Sequence, residues 1–120
     1  METVQATSEC ERLASLMQAL ASPVRLRILG MLAHKSLCVK VIAADLAISQ
    51  PAVSQHLRVL RQAGLVAARK SGYYVHYRLD RQALRDGQAC LAELADESEP
   101  DSAASGSCPQ RDCLHAESKP

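Results

Sequence analysis

Apolar residues recur with helical spacing through the first half of the chain and predict three helices. Ser8 and Glu11 have the spacing of a capping box and open the first helix, so residues 1–7 are expected to fray. Ser22-Pro23 begins the second helix, and the third begins near Val39. The stripes expected to be buried are Leu13, Leu16, Met17 and Leu20 in the first helix, Leu26, Ile28, Leu29 and Leu32 in the second, and Ile42 and Leu46 in the third.

The fourth predicted helix has one apolar face and one polar face. Ser49 suits its N-cap, and Pro51 is tolerated in the first turn because N–H groups there have no partner inside the helix. Gly64 suits the left-handed position just beyond the end of the helix. The residues that share the face expected to be buried are Val53, Leu57 and Leu60. The opposite face carries Gln50, Ser54, Gln55 and Arg58.

Two strands with alternating side chains follow, joined by a turn predicted at Ser71-Gly72. One face of the hairpin carries Tyr73, Val75, Tyr77 and Leu79, and the other carries Tyr74, His76 and Arg78. Arg69 and Lys70 are expected at the tip, where a phosphate or the minor groove lies within reach. Asp80 then caps a last helix, in which Gly87 is either a site of close approach to a partner or a tolerated defect. The apolar face of that helix is formed by Leu84, Leu91 and Leu94.

The order of these elements predicts the fold class. A helix-turn-helix followed by a β-hairpin is the arrangement with which a winged helix enters a DNA major groove. The protein is therefore predicted to be mainly α with a β-hairpin wing, in the order of four helices, two strands and a fifth helix. The domain is expected to span residues 8–96. Residues 97–120 are rich in Ser, Asp, Glu, Pro and Gly, and are expected to form a flexible acidic tail that contains cysteines.

The residue types on the fourth helix and the hairpin suit contacts with double-stranded DNA. Gln can form a bidentate pair with adenine, Arg can do so with guanine, and Ser or Arg can hold phosphates. A polar helix face by itself is more often only solvated, and the neighbouring helix and hairpin are what favour recognition here. Arg25 and Arg27 suit phosphate contact or solvation equally, and His34 and His56 are expected to be structural or solvated. The predicted DNA-binding residues are Gln50, Ser54, Gln55, Arg58, Arg69, Lys70 and His76.

Charge is unevenly distributed along the chain. Residues 50–81 contain six Lys or Arg and one acid, a local charge of +5 in a chain whose net charge is +1. The length of 120 residues suits one domain, and the N-terminus lacks the basic and apolar pattern of a signal peptide. No apolar run approaches membrane-spanning length, so we expect a cytoplasmic protein with no membrane partner. No nucleophile–base motif, phosphate loop or acid pair is visible, so neither an enzyme nor an organic cofactor is expected.

The run LCVKVIAADLAISQPAVSQHLRVLRQAGLVAARKSGYYVHYRL resembles the ArsR/SmtB family of bacterial metal- and metalloid-responsive repressors. The resemblance extends over roughly Ser8 to Leu94, and the combination of SQPAVSQHLRVLRQAGLV with GYYVHYRL is specific to that family. It implies a winged-helix homodimer that leaves its operator when an inducer binds. It also implies that the first and last helices pack across the dimer axis.

The five cysteines, in a reducing compartment, are better interpreted as thiols or ligands than as disulfides. Cys38 lies where arsenic-responsive members of the family typically have Cys-Val-Cys-Asp, but Lys40 and Val41 replace the second Cys and the Asp. The sequence between Arg81 and Pro100 contains no His, which argues against the zinc site of the family's last helix. The usual family sites are therefore incomplete in this chain.

A cysteine pair in the tail offers a different inducer site. Cys108 and Cys113 are separated by four residues and can close around one soft ion. Cys38 is the predicted third thiolate, with Cys90 and Cys10 as rivals. Arsenite or antimonite, which favour three thiolates, is the expected inducer, and zinc, cadmium or lead bound with His115 is an alternative. A second alternative is a repressor of the same fold whose cysteines sense oxidants or reactive sulfur, and a third is a non-regulatory interaction protein. The structural alternative for the tail pair is two incidental exposed thiols.

Overall fold

The computed structural model describes residues 2–96 of the chain, and the side chains of residues 8–96 within that range. These residues form five helices and one three-stranded sheet, which confirms the predicted winged helix-turn-helix fold. The elements in chain order are α1 (Glu2–Leu20), α2 (Pro23–Leu32), β1 (Leu37–Cys38), α3 (Val39–Leu46), α4 (Gln50–Gln62), β2 (Val66–Ser71), β3 (Tyr74–Leu79) and α5 (Arg81–Ala95). The predicted tail at 97–120 lies outside the described residues.

Three predicted helix starts are confirmed by their capping hydrogen bonds. Ser22 Oγ accepts from the backbone N–H of Arg25 at 3.3 Å, and Ser49 Oγ accepts from that of Ala52 at 3.2 Å. Asp80 Oδ1 accepts from the backbone N–H of Gln82 at 3.1 Å. Each bond satisfies one of the N–H groups that the first turn of a helix leaves without an internal partner.

The predicted start of the first helix is wrong. α1 begins at Glu2, so Ser8 and Glu11 lie inside the helix rather than at its N-terminus. The segment before Ser8 contains neither Gly nor Pro, the two residues that most strongly oppose a helix, so the helix continues through the spacing that resembles a capping box.

The core is a cluster of buried apolar residues from α1 to α4 and the inner ends of the sheet, and Ala83 and Leu84 of α5 pack against it. Its largest fully buried side chains are Ile28, Ile42, Val53, Leu57, Leu60 and Leu65. Leu26 was expected in this core, but its side chain is 52% exposed. Because an α-helix turns once in about 3.6 residues, Leu26 points away from the side that Ile28, Leu29 and Leu32 share.

α5 packs against α1 of the same chain at Gly87. Gly87 is buried, and a Cβ built on it would overlap Cδ2 of Leu16. Gly87 therefore does allow a close approach, but its neighbour is α1 of the same chain rather than a partner. The distal part of α5 is different, because Leu91 is 42% exposed and Leu94 is 79% exposed.

Candidate nucleic-acid interface and inducer site

α3 and α4 are joined by a tight turn that sets the angle between them. Ala47 follows α3 in the left-handed conformation, with φ 56° and ψ 43°, and its N–H bonds back to the carbonyl of Ala43. Ser49 then caps α4. A residue with a Cβ is strained in this conformation by about 1–2 kcal/mol, so the packing around the turn must hold it there.

α4 has the two faces that its sequence predicts. Val53, Leu57 and Leu60 are buried against the core. All the predicted reading residues on this helix are exposed, namely Gln50, Ser54, Gln55 and Arg58. The structure thus leaves their hydrogen-bonding groups on the side of α4 away from the core, where a DNA groove can be reached.

The end of α4 directs the chain into the wing. Gly64 is left-handed with φ +77°, as predicted, and its N–H bonds to the carbonyl of Arg61 at 2.9 Å. The N–H of Leu65 bonds to the carbonyl of Leu60 at 2.9 Å. These two bonds form a Schellman motif, which ends the helix just before the fully buried Leu65.

The hairpin turn lies one residue later than predicted. Ser71 pairs with Tyr74, so the loop is Gly72-Tyr73, with φ +63° at Gly72. Tyr73 therefore sits in the turn with its side chain fully exposed, instead of on a strand face with Val75 and Tyr77. Arg69 and Lys70 are both exposed but belong to β2, opposite His76 and Val75, so they lie beside the tip and not in it.

A third strand, which the sequence pattern did not predict, joins the wing to the start of α3. β1 pairs with β3 so that Leu37 opposes Tyr77 and Cys38 opposes His76. Two residues are too few to show an alternation, which is why this strand was missed.

The register of the sheet places three predicted site residues in one row. Cys38 on β1, His76 on β3 and Arg69 on β2 are successive cross-strand partners and so share one face of the sheet. Cys38 and His76 are half-buried, and Arg69 is exposed. Cys38 also occupies the N-cap position of α3, where its side chain makes no capping hydrogen bond. A predicted inducer ligand and two predicted DNA contacts are therefore neighbours.

The other cysteines are spread over the molecule. Cys10 is exposed on α1, and Cys90 is half-buried on α5. Cys108, Cys113 and His115 lie outside the described residues. Within residues 2–96 no three His, Cys, Asp or Glu side chains come close enough together to hold a metal ion. The described part of the chain can thus supply Cys38, with His76 beside it, but not a complete set of ligands.

Arg25 has a structural position that sequence reasoning missed. Its Nε donates to Nδ1 of His56 at 3.3 Å, and its Nη1 donates to the carbonyls of Gln18 at 3.2 Å and Ala19 at 3.1 Å. His56 is accordingly structural, one of the two interpretations open for it. The spacing of residues in the sequence does not predict hydrogen bonds between different helices. The Ser22-Pro23 start of α2 predicts only that Arg25 lies in the first turn of that helix.

None of the helices within residues 2–96 combines the length and the apolar character that crossing a membrane would require.

Comparison with known proteins gives a consistent family assignment. The family model described as bacterial regulatory protein, arsR family, matches residues 22–68, from the α2 cap into β2. The solution structure of the homodimeric winged helix-turn-helix DNA-binding domain of Mb0332 from Mycobacterium bovis is 31% identical, with a TM-score of 0.64. It aligns over 78% of this chain and 86% of that one.

This chain belongs to the arsR family. Among the relatives of this arsR-family chain, the transcriptional repressor SmtB homolog of a Synechocystis species is 41% identical over 76 residues, covering 63% of this chain and 58% of that protein. The arsenical resistance operon repressor of Escherichia coli is 45% identical over 65 residues, covering 53% of this chain and 56% of that protein. The arsR-family chain therefore spans little more than half the length of these curated relatives. They are regulators of transcription, in agreement with the prediction that the chain is not an enzyme.

Proposed function

We propose that this arsR-family chain is a transcriptional repressor that binds operator DNA as a homodimer and is released when arsenite or antimonite binds cysteine thiolates. The observation that carries the DNA-binding part is α4, whose buried Val53–Leu57–Leu60 stripe leaves Gln55 and Arg58 exposed on the opposite side. The relatives support the regulatory class, and their names include a repressor of an arsenical resistance operon.

DNA recognition would divide between α4 and the wing. α4 in the major groove would read base edges, with Gln55 suited to adenine and Arg58 to guanine. Arg69 and Lys70, exposed on β2, would hold phosphates on either side of that groove. The local charge of +5 over residues 50–81 supplies the attraction that both contacts need.

The homodimer is supported by the distal part of α5. Leu91 and Leu94 lie largely exposed beyond the point where Gly87 packs on Leu16. A second copy related by a two-fold axis would cover these leucines and place two α4 helices on half-sites about 34 Å apart, one turn of DNA. The Mycobacterium bovis relative is itself homodimeric.

The inducer site would combine one fixed thiol with two thiols of the tail. Cys38 is held between β1 and α3, and Cys108 and Cys113 would complete three sulfur ligands for a soft trivalent centre. Pulling Cys38 toward the tail would shift α3, whose Ile42 and Ala43 pack in the core beside α4. Inducer and DNA would then favour different arrangements of the same two helices, which is the thermodynamic requirement for release. Zinc, cadmium or lead, with His115 or His76 as nitrogen ligands, would use the same thiols.

A second candidate is a repressor that senses oxidants or reactive sulfur. The observation that favours it is the row formed by Cys38, His76 and Arg69, because basic neighbours and a helix N-terminus are features of reactive cysteine sites. Hydrogen peroxide would oxidise Cys38 and one tail thiol to a disulfide, and both peroxide oxygens and both thiol protons would leave as two water molecules.

The test is a DNA-release assay on the full chain. DNA is first selected from a randomised duplex library, and failure to enrich any sequence would end the DNA-binding proposal. The selected duplex is then challenged with arsenite, antimonite, zinc, cadmium, lead and peroxide. Cys38→Ser, Cys108→Ser and Cys113→Ser should each abolish the metalloid response, while Cys10→Ser, which removes an exposed thiol from α1, should retain it. A full metalloid response in both tail variants would refute the tail site, and release by peroxide alone would favour the second candidate.

A further inference from the structure

Arg25 joins three helices with one guanidinium group. It belongs to α2, donates through Nη1 to the carbonyls of Gln18 and Ala19 in the last turn of α1, and donates through Nε to His56 of α4. The side chain is half-buried, whereas that of Arg27, two residues further along α2, is exposed. Arg25 is thus held by contacts with two other helices, whereas Arg27 lies on the surface of α2.

The bonds to α1 satisfy the end of that helix. Carbonyls in a last turn have no partner four residues further along, and the negative end of the helix dipole favours a cation. The last turn of α1 contains no basic residue of its own. Arg25 supplies the missing charge from α2, and this bond keeps its guanidinium group in a fixed place.

The bond to His56 transfers that fixed position to the recognition helix. His56 lies on α4 between the exposed Gln55 and the buried Leu57, at the boundary of the two faces. Whatever holds His56 therefore limits rotation of α4 about its axis, and such a rotation would re-aim Gln55 and Arg58. The hydrogen bond adds a directional restraint at this boundary to the packing of the buried stripe.

The same connection reaches the proposed dimer helices. α1 is in direct contact with α5 through Leu16 and Gly87, and α5 carries the exposed Leu91 and Leu94. A continuous set of contacts therefore runs from α5 through α1 and Arg25 to His56 on α4. In a dimer it would relate the direction of each recognition helix to the shared axis.

We infer that Arg25 is a positioning residue that fixes the recognition helix relative to α1 and α5, and that it acts through His56 without touching DNA. This inference rests on the proposed function, because it concerns how accurately two recognition helices meet an operator. It replaces the expectation that Arg25 holds a phosphate or is only solvated.

The inference predicts a loss of specificity rather than a loss of charge attraction. Arg25→Lys keeps the charge, but a single ammonium group cannot reproduce a fork that reaches α1 and α4 at once. Affinity for the selected duplex should fall about tenfold or more, the size expected for losing hydrogen bonds to a charged group. Affinity for a mixed-sequence duplex, and the salt dependence of both affinities, should stay unchanged. His56→Leu, which removes the acceptor alone, should produce the same pattern.

The experiment measures both affinities across a salt series for the full-length wild type, Arg25→Lys, Arg25→Gln, His56→Leu and the Arg25→Lys/His56→Leu double variant. The double variant should lose no more than Arg25→Lys alone, because that substitution already removes the bond to His56. Arg27→Gln is the matched control, and it should leave the ratio of specific to mixed-sequence affinity unchanged whether or not that side chain meets a phosphate. Thermal melting of each variant separates misplacement of α4 from unfolding.

Three results would overturn the inference while leaving the proposed function intact. Arg25→Lys could bind the selected duplex as the wild type does, which would show that charge alone suffices. The two affinities of Arg25→Gln could fall together with a shallower salt dependence, which would identify a phosphate contact. The single losses could add in the double variant, which would show that the two residues act separately. Failure of the wild type to enrich any duplex would instead overturn the proposed function itself.

Discussion

Cys38 and His76 are directly opposed across the β1–β3 pairing, and Arg69 opposes His76 on the other side. Side chains at opposed positions on one face have Cβ atoms about 4.5–5.5 Å apart, close enough for a thiol and an imidazole to meet directly or through one ion. The pairing places the fixed end of the proposed inducer site on the wing. A ligand at Cys38 would therefore act at the start of α3 and beside Arg69, which is proposed to contact DNA.

His76 can serve DNA or the inducer, and one substitution separates the roles. If His76 contacts DNA, His76→Ala should weaken binding of the selected duplex before any inducer is added. If it is a nitrogen ligand beside Cys38, DNA binding should be normal and more zinc or cadmium should be needed for release, with little change for arsenite. Titrations of DNA release by each ion make the distinction. Wild-type behaviour in every titration would leave His76 with neither role.

Gln55→Ala and Arg58→Ala should each weaken binding of the selected duplex by about 1–3 kcal/mol, the worth of one bidentate base contact. The fold should be unaffected, since both side chains are exposed opposite the buried stripe. Fluorescence anisotropy with labelled duplex measures the loss, and Gln88→Ala on α5 is the matched control. Unchanged affinity in both α4 variants would refute the assignment of the recognition face.

Arg69→Gln and Lys70→Gln should lower the salt dependence of DNA binding. Each true phosphate contact contributes about 0.9 to the slope of log affinity against log salt concentration. The base preference should stay the same, because phosphate contacts position the protein without reading sequence. Affinities measured over a salt series provide the slopes. A changed base preference with an unchanged slope would instead place these residues on base edges.

Gly87→Ala and Gly30→Ala should have opposite effects on the free energy of unfolding. A methyl group on Gly87 overlaps the buried Leu16, so about 1 kcal/mol of stability should be lost after the gain in helix propensity. Gly30 has open space around its Cα, so its substitution should stabilise α2 by up to about 1 kcal/mol. Urea denaturation measures both. In the background of Leu16→Ala the loss at Gly87 should shrink, and a persistent loss would point to a cause other than this contact.

Leu94→Lys should convert the dimer to a monomer, while Leu26→Lys should not. Leu94 lies on the distal part of α5, where a second copy is proposed to pack, and Leu26 is an exposed leucine on α2 away from that surface. Sedimentation equilibrium at micromolar concentration compares the two variants with the wild type. Equal dissociation of both variants would show that the effect is not specific to the surface of α5. A wild-type protein that is monomeric and still binds DNA would refute the dimer.

The sequence by itself determined the elements whose evidence is local. Repeating apolar residues predicted five helices and the hairpin, because side-chain direction follows from backbone periodicity. Three helix starts could be predicted from side chains that accept a backbone N–H of the first turn, those of Ser22, Ser49 and Asp80. The end of α4 could be predicted from Gly64, because a glycine adopts the left-handed conformation there without strain. The two faces of α4, and with them the predicted reading residues, could also be assigned because both follow from spacing on one helix.

Only the tertiary structure decided the relationships between distant segments. β1 has two residues and no readable period, so its register with β3, and the placement of Cys38 beside His76, come from pairing across the sheet. Leu26 has the spacing of a core residue but lies outside the core. Gly87 packs closely against Leu16 of its own chain. Arg25 found acceptors on α1 and α4 at once. These contacts depend on how whole helices pack against one another, and periodicity describes only which side of each helix packs.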